Sequence, residues 1–266
     1  MNLGVVGFGN LGKAFVKGII KGGKFKSQDI YITAKTKGTL EEARKYYKVN
    51  ICKNVSELVE LCDVIVLVVK PRVAETVIKQ IDDSDYDHKV FISIMAGVKI
   101  EKLKAMFSAP VKIFRAMPNV SIANLQGVTA ISIPDEMSDN EKEMVKDIFQ
   151  SLGLVIEVRE DGIEQITSLS ACGLGFVAHL MDSFVEAGTK IGLSREIATQ
   201  ITLQTFYGAV KTTCEYNISP EKLKGSVATK GGATEEGLRV LEEEKVALAI
   251  EKAVEASYRK ALSFGR

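Results

Sequence analysis

Two glycine-rich segments, one near each end of the chain, have the residue types that bind anions. The first is Gly7-Phe8-Gly9-Asn10-Leu11-Gly12, and the second lies within residues 227–242 around the pair Gly231-Gly232. Glycines allow backbone N–H groups to turn toward a ligand, and a helix that begins directly afterwards favours negative charge at its N-terminus. We therefore predict two anion sites, as in a protein that brings a phosphorylated cofactor to a small anionic substrate.

The bulk composition excludes several classes of protein. The chain has 266 residues, of which 46% are hydrophobic, and its 35 basic side chains nearly balance its 34 acidic ones. A net charge of +1 argues against a dedicated nucleic-acid or membrane-surface partner, and no uninterrupted apolar run reaches the length of a membrane span. Residue 1 leads directly into a strand-like run without a signal-type region, so we expect a cytoplasmic protein.

The inventory of cysteines and histidines argues against metal and hydrolase chemistry. Cys52, Cys62, Cys172 and Cys214 have neither a C-x-x-C pair nor zinc-like spacing, which favours reduced thiols. The chain has only two histidines, which nearly excludes a Ser-His-Asp hydrolase or a metal site built on histidine. We therefore expect no metal.

Short apolar runs and helical patterns alternate through the first half of the chain. Buried strands are predicted at residues 3–6, 29–33, 64–69, 90–94 and 111–115. Helices are predicted after Gly12, at residues 40–47, at residues 56–61 with Ser56 as the N-cap, and from about residue 73. This alternation is typical of an α/β protein with a doubly wound, Rossmann-type parallel sheet, whose ligands bind at the carboxyl ends of the strands.

From about residue 161 the pattern changes to helical spacing without strands. Apolar residues recur at helical spacing between 163 and 185, and residues 194–216 and 233–262 also indicate helices. We predict a dinucleotide-binding domain at residues 1–160 and an all-helical domain at residues 161–266. The segment 163–190 has few charges in its middle, which indicates deep burial or a surface shared in a homodimer or larger homo-oligomer.

The glycines of the first segment have the spacing of a dinucleotide-binding loop. Gly7 would form the turn, Gly9 would admit the pyrophosphate, and Gly12 would allow the helix to pack on the strand. Phe8, Asn10 and Leu11 complete the loop as cofactor-binding candidates. The alternative is a glycine-rich turn with a purely structural role.

The end of the second predicted strand bears on the choice of cofactor. NAD-binding sites usually have Asp or Glu there, whereas this chain has Thr33-Ala34-Lys35-Thr36-Lys37. Hydroxyl and ammonium groups suit a 2′-phosphate, so NADP (NADPH) is the predicted cofactor and Lys35 its ligand. Use of NAD stays open because lysine is less selective in geometry than arginine, and these lysines could also belong to a solvated loop.

Other positions on the same rim are predicted to contact the cofactor. Val69 ends the predicted strand 64–69, and Lys70 and Pro71 follow it. Met95 and Ala96 follow the strand 90–94, and Asn54 precedes the helix at 56–61. Strand termination alone is the alternative for Lys70-Pro71.

Together these segments resemble the Δ1-pyrroline-5-carboxylate reductase family over nearly the whole chain. The cofactor-domain landmarks are Gly7-Phe8-Gly9-Asn10-Leu11-Gly12, Val69-Lys70-Pro71, Ser93-Ile94-Met95-Ala96-Gly97-Val98 and Arg115-Ala116-Met117-Pro118-Asn119. The more specific C-terminal signature runs from Pro220 through Val227-Ala228-Thr229-Lys230-Gly231-Gly232-Ala233-Thr234 to Leu241-Glu242.

The resemblance implies an NAD(P)H enzyme of two domains that reduces the C=N bond of a cyclic imine carrying a carboxylate. Family members assemble through their helical domains, and helices of a partner subunit contribute to the active site. N–H groups near Thr229, Gly231, Gly232 and Ala233 are candidates to hold the carboxylate. Asn119 is a further substrate-binding candidate.

Thr234 is the catalytic candidate, because its hydroxyl would be offered to the ring nitrogen. A threonine is a weak acid, so it would orient the substrate or relay a proton from water. The alternative is that Thr234 caps the following helix.

Three departures from the family pattern keep other functions open. This chain has Ser170-Ala171-Cys172-Gly173-Leu174-Gly175, Thr229-Lys230 and Val120-Ser121 where the family often has Ser-Gly-Ser-Gly-Pro, Ser-Pro and Thr-Pro. The leading hypothesis is reduction of 1-pyrroline-5-carboxylate to proline. A paralogue that reduces another cyclic imine acid and a non-catalytic NADP-binding regulator are alternatives. A β-hydroxyacid dehydrogenase is disfavoured, since Lys190 is the only lysine of segment 163–190.

Overall fold

The computed structural model describes residues 1–81, 86 and 88–264. The first part of this chain contains an eight-stranded sheet. Its strands are β1 (Leu3–Val6), β2 (Ile30–Thr33), β3 (Asn50–Ile51), β4 (Val64–Leu67), β5 (Val90–Ser93), β6 (Lys112–Pro118), β7 (Gly127–Ser132) and β8 (Gly153–Glu157). They lie in the order β3-β2-β1-β4-β5-β6-β7-β8. The first six strands are parallel, which confirms the predicted α/β architecture.

The central strands form because they are continuous apolar runs covered on both faces. Every residue of β1, β4 and β5 is buried. One cluster of buried side chains, which includes Phe15 and Phe149, lies on one face, and a second, which includes Leu58 and Phe91, lies on the other. Parallel strands of this kind need helices on both sides of the sheet.

The sheet extends further than the sequence analysis predicted. The strand expected to end at Arg115 continues to Pro118, so Arg115 lies inside β6. There β6 pairs with β7 in antiparallel orientation, and β8 is parallel to β7. Gly153 has φ +138°, and an added Cβ would lie 2.2 Å from the carbonyl oxygen of Gly127, so glycine is needed where these strands meet.

Six helices accompany the described part of the sheet. They are α1 (Asn10–Lys21), α2 (Lys37–Tyr47), α3 (Val55–Leu61), α4 (Ala74–Ile78), α5 (Ile100–Lys104) and α6 (Asp139–Gln150). The predicted N-cap of α3 was wrong, because Asn54 rather than Ser56 accepts the N–H of Glu57, at 2.8 Å. Likewise α2 begins at Lys37, three residues earlier than predicted.

The C-terminal part of the chain is helical, as predicted. Its helices are α7 (Ile163–Lys190), α8 (Arg195–Glu215), α9 (Pro220–Val227), α10 (Ala233–Glu243) and α11 (Val246–Ser263). The single helix predicted over residues 233–262 is two helices, because Lys245 has φ +54° and interrupts the helical backbone between them.

The chain divides into two compact units. One comprises Met1–Ala171 together with the residues from Ser257 onward, and the other comprises Cys172–Ala256. The predicted boundary after residue 160 coincides with neither limit of these units and stays a prediction about folding domains.

Large apolar side chains are exposed on the two longest helices. Phe184 on α7 and Ile201, Tyr207 and Val210 on α8 are each more than half exposed. The helical segment Glu160–Lys190 is also long and apolar enough to cross a membrane, a test that core helices of soluble proteins pass as well. Apolar surface of this extent is typical of a contact with another protein surface or with lipid.

One charged side chain, that of Arg115, is fully buried, with 1% exposed. Its Nη2 donates to Oε1 of Glu164 at the start of α7, at 2.5 Å, and its Nη1 lies 3.6 Å from Oε1 of Glu160. The same Glu160 oxygen accepts the N–H of Ile100 at the start of α5, at 2.6 Å. One charged network therefore joins β6 to the first turns of two helices.

We expect Arg115→Met to lower the free energy of unfolding by about 3–5 kcal/mol, because Glu164 would be left nearly buried without a counter-ion. Urea denaturation of the purified chain measures the change. The double variant Arg115→Met, Glu164→Leu should recover most of it, since the charge that remains, on Glu160, is partly exposed and keeps the hydrogen bond from Ile100. Lys79→Met in the exposed pair with Glu75 is the control and should change stability by less than about 0.5 kcal/mol. Equal small changes in all variants would contradict a stabilising role.

Candidate functional site

The loop after β1 contains three glycines, and each has different surroundings. Gly7 has φ +104°, and an added Cβ would lie 2.4 Å from the carbonyl oxygen of Val68. At Gly12 a Cβ would lie 2.6 Å from the carbonyl oxygen of Gly7, whereas no described atom lies within 4 Å of a Cβ built on Gly9. Gly7 and Gly12 are therefore needed for the turn and for helix packing, while a ligand can approach the backbone at Gly9.

The N-terminus of α1 is open to an anion. Gly9 is its N-cap without a side-chain hydrogen bond, and the first turn contains no acidic residue. Asn10 is exposed and Leu11 packs on the core, but the N–H groups of this turn have no partner within the helix. Phe8 is buried edge-on against Tyr47, so only its backbone is available to a ligand. This geometry suits a pyrophosphate.

A cavity of about 400 Å³ opens at the carboxyl ends of β1, β2 and β4. It lies where the strand order reverses, because β1 pairs with β2 on one side and with β4 on the other. Four of the predicted cofactor residues line it: Gly7, Lys35, Asn54 and Val69. The other described lining residues are Val6, Thr33, Ala34, Lys53, Val55, Val73, Thr76, Val77 and Gln80.

Three polar residues of this cavity, Lys53, Thr76 and Gln80, were missed by the sequence analysis. Lys53 follows β3, which has only two residues, too few to show a strand pattern. Its place in the cavity depends on the pairing of β3 with β2, which no local sequence pattern reveals.

The loop after β2 contains no carboxylate. Thr36 is the N-cap of α2 and accepts the N–H of Thr39 at 3.4 Å, and the first turn of α2 has no acidic residue. Lys35 and Lys37 are exposed on either side of this cap. A negatively charged group is therefore favoured here over a neutral diol.

The remaining predicted cofactor residues lie at the same edge of the sheet but do not line the cavity. Lys70 and Pro71 are exposed at the start of a 3-10 turn after β4. Met95 follows β5 and is a core residue with 2% exposed, and Ala96 beside it is half-buried.

Asn119 uses its side-chain oxygen and its backbone N–H in hydrogen bonds within the protein. It is buried, and its Oδ1 accepts the N–H of Ser121 at 3.2 Å and the N–H of Val128 at 3.3 Å. Its own N–H donates to the carbonyl oxygen of Val128 at 3.1 Å. These bonds hold the end of β6 beside β7 and leave the amide nitrogen of its side chain as the group available to a ligand.

The second glycine segment forms a tight turn between α9 and α10. The N–H of Gly232 donates to the carbonyl oxygen of Thr229 at 2.9 Å, and Gly231 has φ +75°. A Cβ on Gly232 would lie 2.5 Å from Oγ1 of Thr229, so the turn needs glycine there. The N–H of Gly231 donates to Oε2 of Glu235 at 2.7 Å. Two of the four predicted donors are thus engaged within the chain.

The structure contradicts the alternative in which Thr234 caps α10. The N-cap is Gly232, which leaves Ala233 and Thr234 as the first two helical residues. Their N–H groups have no partner within the helix. The Thr234 side chain is exposed and makes no hydrogen bond within the described residues. Its hydroxyl is therefore available to a ligand.

The buried thiols are unreactive. Burial raises the pKa of Cys52 to about 11 and that of Cys62 to about 12, with smaller contributions from nearby acidic groups. Both thiols are therefore protonated at neutral pH and are poor nucleophiles.

Within residues 1–81, 86 and 88–264, no group of three His, Cys, Asp or Glu side chains could hold a metal ion.

Two family models match the chain. Residues 160–263 match the model for pyrroline-5-carboxylate reductase dimerisation, and residues 2–97 match the model for NADP oxidoreductase, coenzyme F420-dependent. The two matched ranges contain the Thr234 turn and the Gly7–Gly12 loop, respectively.

Relatives of known name match almost the whole chain. Pyrroline-5-carboxylate reductase 2 of Bacillus subtilis is 31% identical over 97% of this chain and 93% of its own length. Pyrroline-5-carboxylate reductase of Aquifex aeolicus is 33% identical over 91% of this chain and 89% of its own length. The crystal structure of Plasmodium falciparum pyrroline carboxylate reductase with NADP bound has a TM-score of 0.90 and 30% identity, covering 100% of this chain and 98% of that one. The chain therefore belongs to the pyrroline-5-carboxylate reductase family.

Proposed function

We propose that this protein reduces 1-pyrroline-5-carboxylate to proline with NADPH, and that NADH is a weaker donor. The observation that carries the proposal is the match of 33% identity over 91% of the chain to a reductase of that name. The geometry supports the proposal, since the first N–H groups of α1 and α10 have no partner within their helices.

The residues present fit nicotinamide adenine dinucleotide phosphate (NADP). We assign the pyrophosphate to the N–H groups at Gly9 and the first turn of α1, where there is open space and no carboxylate. Lys35 would bind the 2′-phosphate, and Asn54 and Val69 would line the adenosine part of the cavity. Lys70, Pro71, Met95 and Ala96 stay candidates for the nicotinamide half. When bound, the reduced nicotinamide supplies the hydride that the C=N carbon requires.

The turn between α9 and α10 is assigned to the imine acid. The N–H groups of Ala233 and Thr234 would hold the substrate carboxylate, because they open a helix and are free of partners inside it. Gly231 and Gly232 would act mainly through the shape of the turn, since both N–H groups are bonded within the chain. The Thr234 hydroxyl would orient the ring nitrogen and pass it a proton from water.

The apolar surface of α7 and α8 is assigned to a second copy of the chain. The dimerisation match covers residues 160–263, and the exposed side chains include Phe184, Tyr207 and Val210. Asp182 and Glu186 on α7 pair with Arg195, so the polar face of this pair of helices carries ion pairs that suit water. We therefore propose a homodimer or larger homo-oligomer in the cytoplasm, without nucleic acid or membrane as partner.

The decisive assay supplies the purified chain with 1-pyrroline-5-carboxylate and NADPH and follows the loss of absorbance of the reduced nicotinamide. We expect turnover with this imine that exceeds turnover with a six-membered piperideine carboxylate. A preference for the larger ring would instead favour a paralogue that reduces another cyclic imine acid. The departures from the family pattern at residues 120–121, 170–175 and 229–230 motivate this alternative. No turnover with any imine would favour an NADP-binding regulator.

We expect Thr234→Ala to lower kcat/KM for the imine about tenfold or more, because a hydrogen bond to the reacting nitrogen is lost. Thr234→Ser retains the hydroxyl and is the matched control, which should keep most of the activity. The Kd for NADPH, measured by fluorescence titration, should be equal in both variants and the parent. Near-normal turnover of Thr234→Ala would remove the residue from the mechanism.

We expect Gly9→Ala to raise the Kd for NADPH about tenfold or more, because the added methyl group would occupy the open space through which the pyrophosphate approaches the backbone N–H groups. The loss would be like that of a charge-assisted hydrogen bond, about 1.5–3 kcal/mol. Its melting temperature should stay that of the parent, since the added Cβ meets no described atom. Gly7→Ala should instead lose about 1–3 kcal/mol of stability, because alanine at φ +104° is strained. Unchanged NADPH binding by a folded Gly9→Ala protein would place the pyrophosphate elsewhere.

A further inference from the structure

Two lysines from separate loops line the cavity beside Gly7. Lys35 follows β2 and Lys53 follows β3, and they are the only charged side chains among its described lining residues. Neither ammonium group has an ion pair within the described part of the chain. By contrast, Lys13 on α1 is paired with Glu42 at 2.6 Å. The cavity lining therefore contains two positive charges that form no ion pair among the described residues.

The backbone on both sides of Lys53 is fixed by hydrogen bonds. The N–H of Cys52 donates to the carbonyl oxygen of Ile32 in β2 at 2.9 Å, which keeps the end of β3 beside the end of β2. The N–H of Lys53 donates to Oε2 of Glu57 at 2.6 Å, and Oδ1 of Asn54 caps α3. The backbone of Lys53 is thus held in place, while its ammonium group forms no ion pair with the described residues.

The lining of the cavity contains side chains of two chemical kinds. Val55, Val69, Val73 and Val77 are apolar and suit a flat heteroaromatic ring. Thr33, Lys35 and Lys53 are polar or cationic. A nucleoside that carries a phosphomonoester on its sugar has both features. Such a phosphate is nearly doubly charged at neutral pH and can accept hydrogen bonds from two ammonium groups.

We propose that Lys53 is a second selectivity residue for the cofactor, which acts with Lys35 on the 2′-phosphate of NADPH. The inference deepens the proposed function, since it concerns the cofactor of the same site. A diol at this position, as in NADH, would meet two cations and no carboxylate to accept its hydrogen bonds.

Binding titrations on the purified full-length chain test the inference. Lys53→Glu should raise the Kd for NADPH about tenfold or more and change the Kd for NADH by less than about twofold. Lys53→Gln removes the charge without reversing it and should give a smaller change in the same direction. Lys102→Glu on α5 makes the same charge change at an exposed lysine away from the cavity and should leave both values unchanged.

Adenosine 2′,5′-bisphosphate and adenosine 5′-monophosphate serve as probes that need no nicotinamide. Loss of affinity for the first but not the second in Lys53→Glu would support the contact with the 2′-phosphate. Equal losses for both probes, or no change in either, would overturn it. If the parent protein reduces no imine but still binds NADPH more tightly than NADH, the proposed function is refuted and the role of Lys53 is not.

Discussion

The site depends on how closely the ends of three strands meet at Gly7. Its N–H donates to the carbonyl oxygen of Thr33 at the end of β2, at 2.9 Å, and its Cα faces the carbonyl oxygen of Val68 beyond β4. A positive φ and the absence of a Cβ allow the chain to leave β1 and enter α1 within this space. The cavity and the open turn at Gly9 both follow from that one bend. Substitution at Gly7 therefore disturbs the strand ends and the binding surface together.

The two proposed anion sites differ in whether acidic residues lie in the first turn of the adjoining helix. The first turns of α1 and α2 contain no acidic residue, so their partial positive charge is left for a ligand. The first turn of α10 contains Glu235 and Glu236. Glu236 pairs with Arg239, but Glu235 occupies the N–H of Gly231. A substrate carboxylate bound at α10, as proposed, would thus meet an internal carboxylate, whereas a phosphate bound at α1 would meet none.

The parallel core could be predicted from the sequence because buried parallel strands are continuous apolar runs. The residues that escaped prediction are those whose placement depends on tertiary contacts. β7 contains Thr129 and Ser132, whose polar side chains conceal a buried strand, and β8 is half-exposed at the edge. The capping role of Thr234 was a reasonable interpretation of local sequence, yet Gly232 takes that position because its turn closes on Thr229. Lys53 belongs to the cavity only through the pairing of β2 with β3, which no local pattern reveals.

The buried Arg115 has a consequence for how the chain can be divided. Its partner Glu164 lies 49 residues later, in the first turn of the helix that continues into the second compact unit. A fragment that ends at residue 160 would retain the guanidinium inside the sheet and Glu160 at 3.6 Å, but it would lose Glu164, the carboxylate that accepts the hydrogen bond of Arg115. The nucleotide-binding half is therefore not an autonomous module with a free C-terminal end. An expressible version of it should include the first turns of α7, so that the buried arginine keeps Glu164 as its hydrogen-bonded counter-ion.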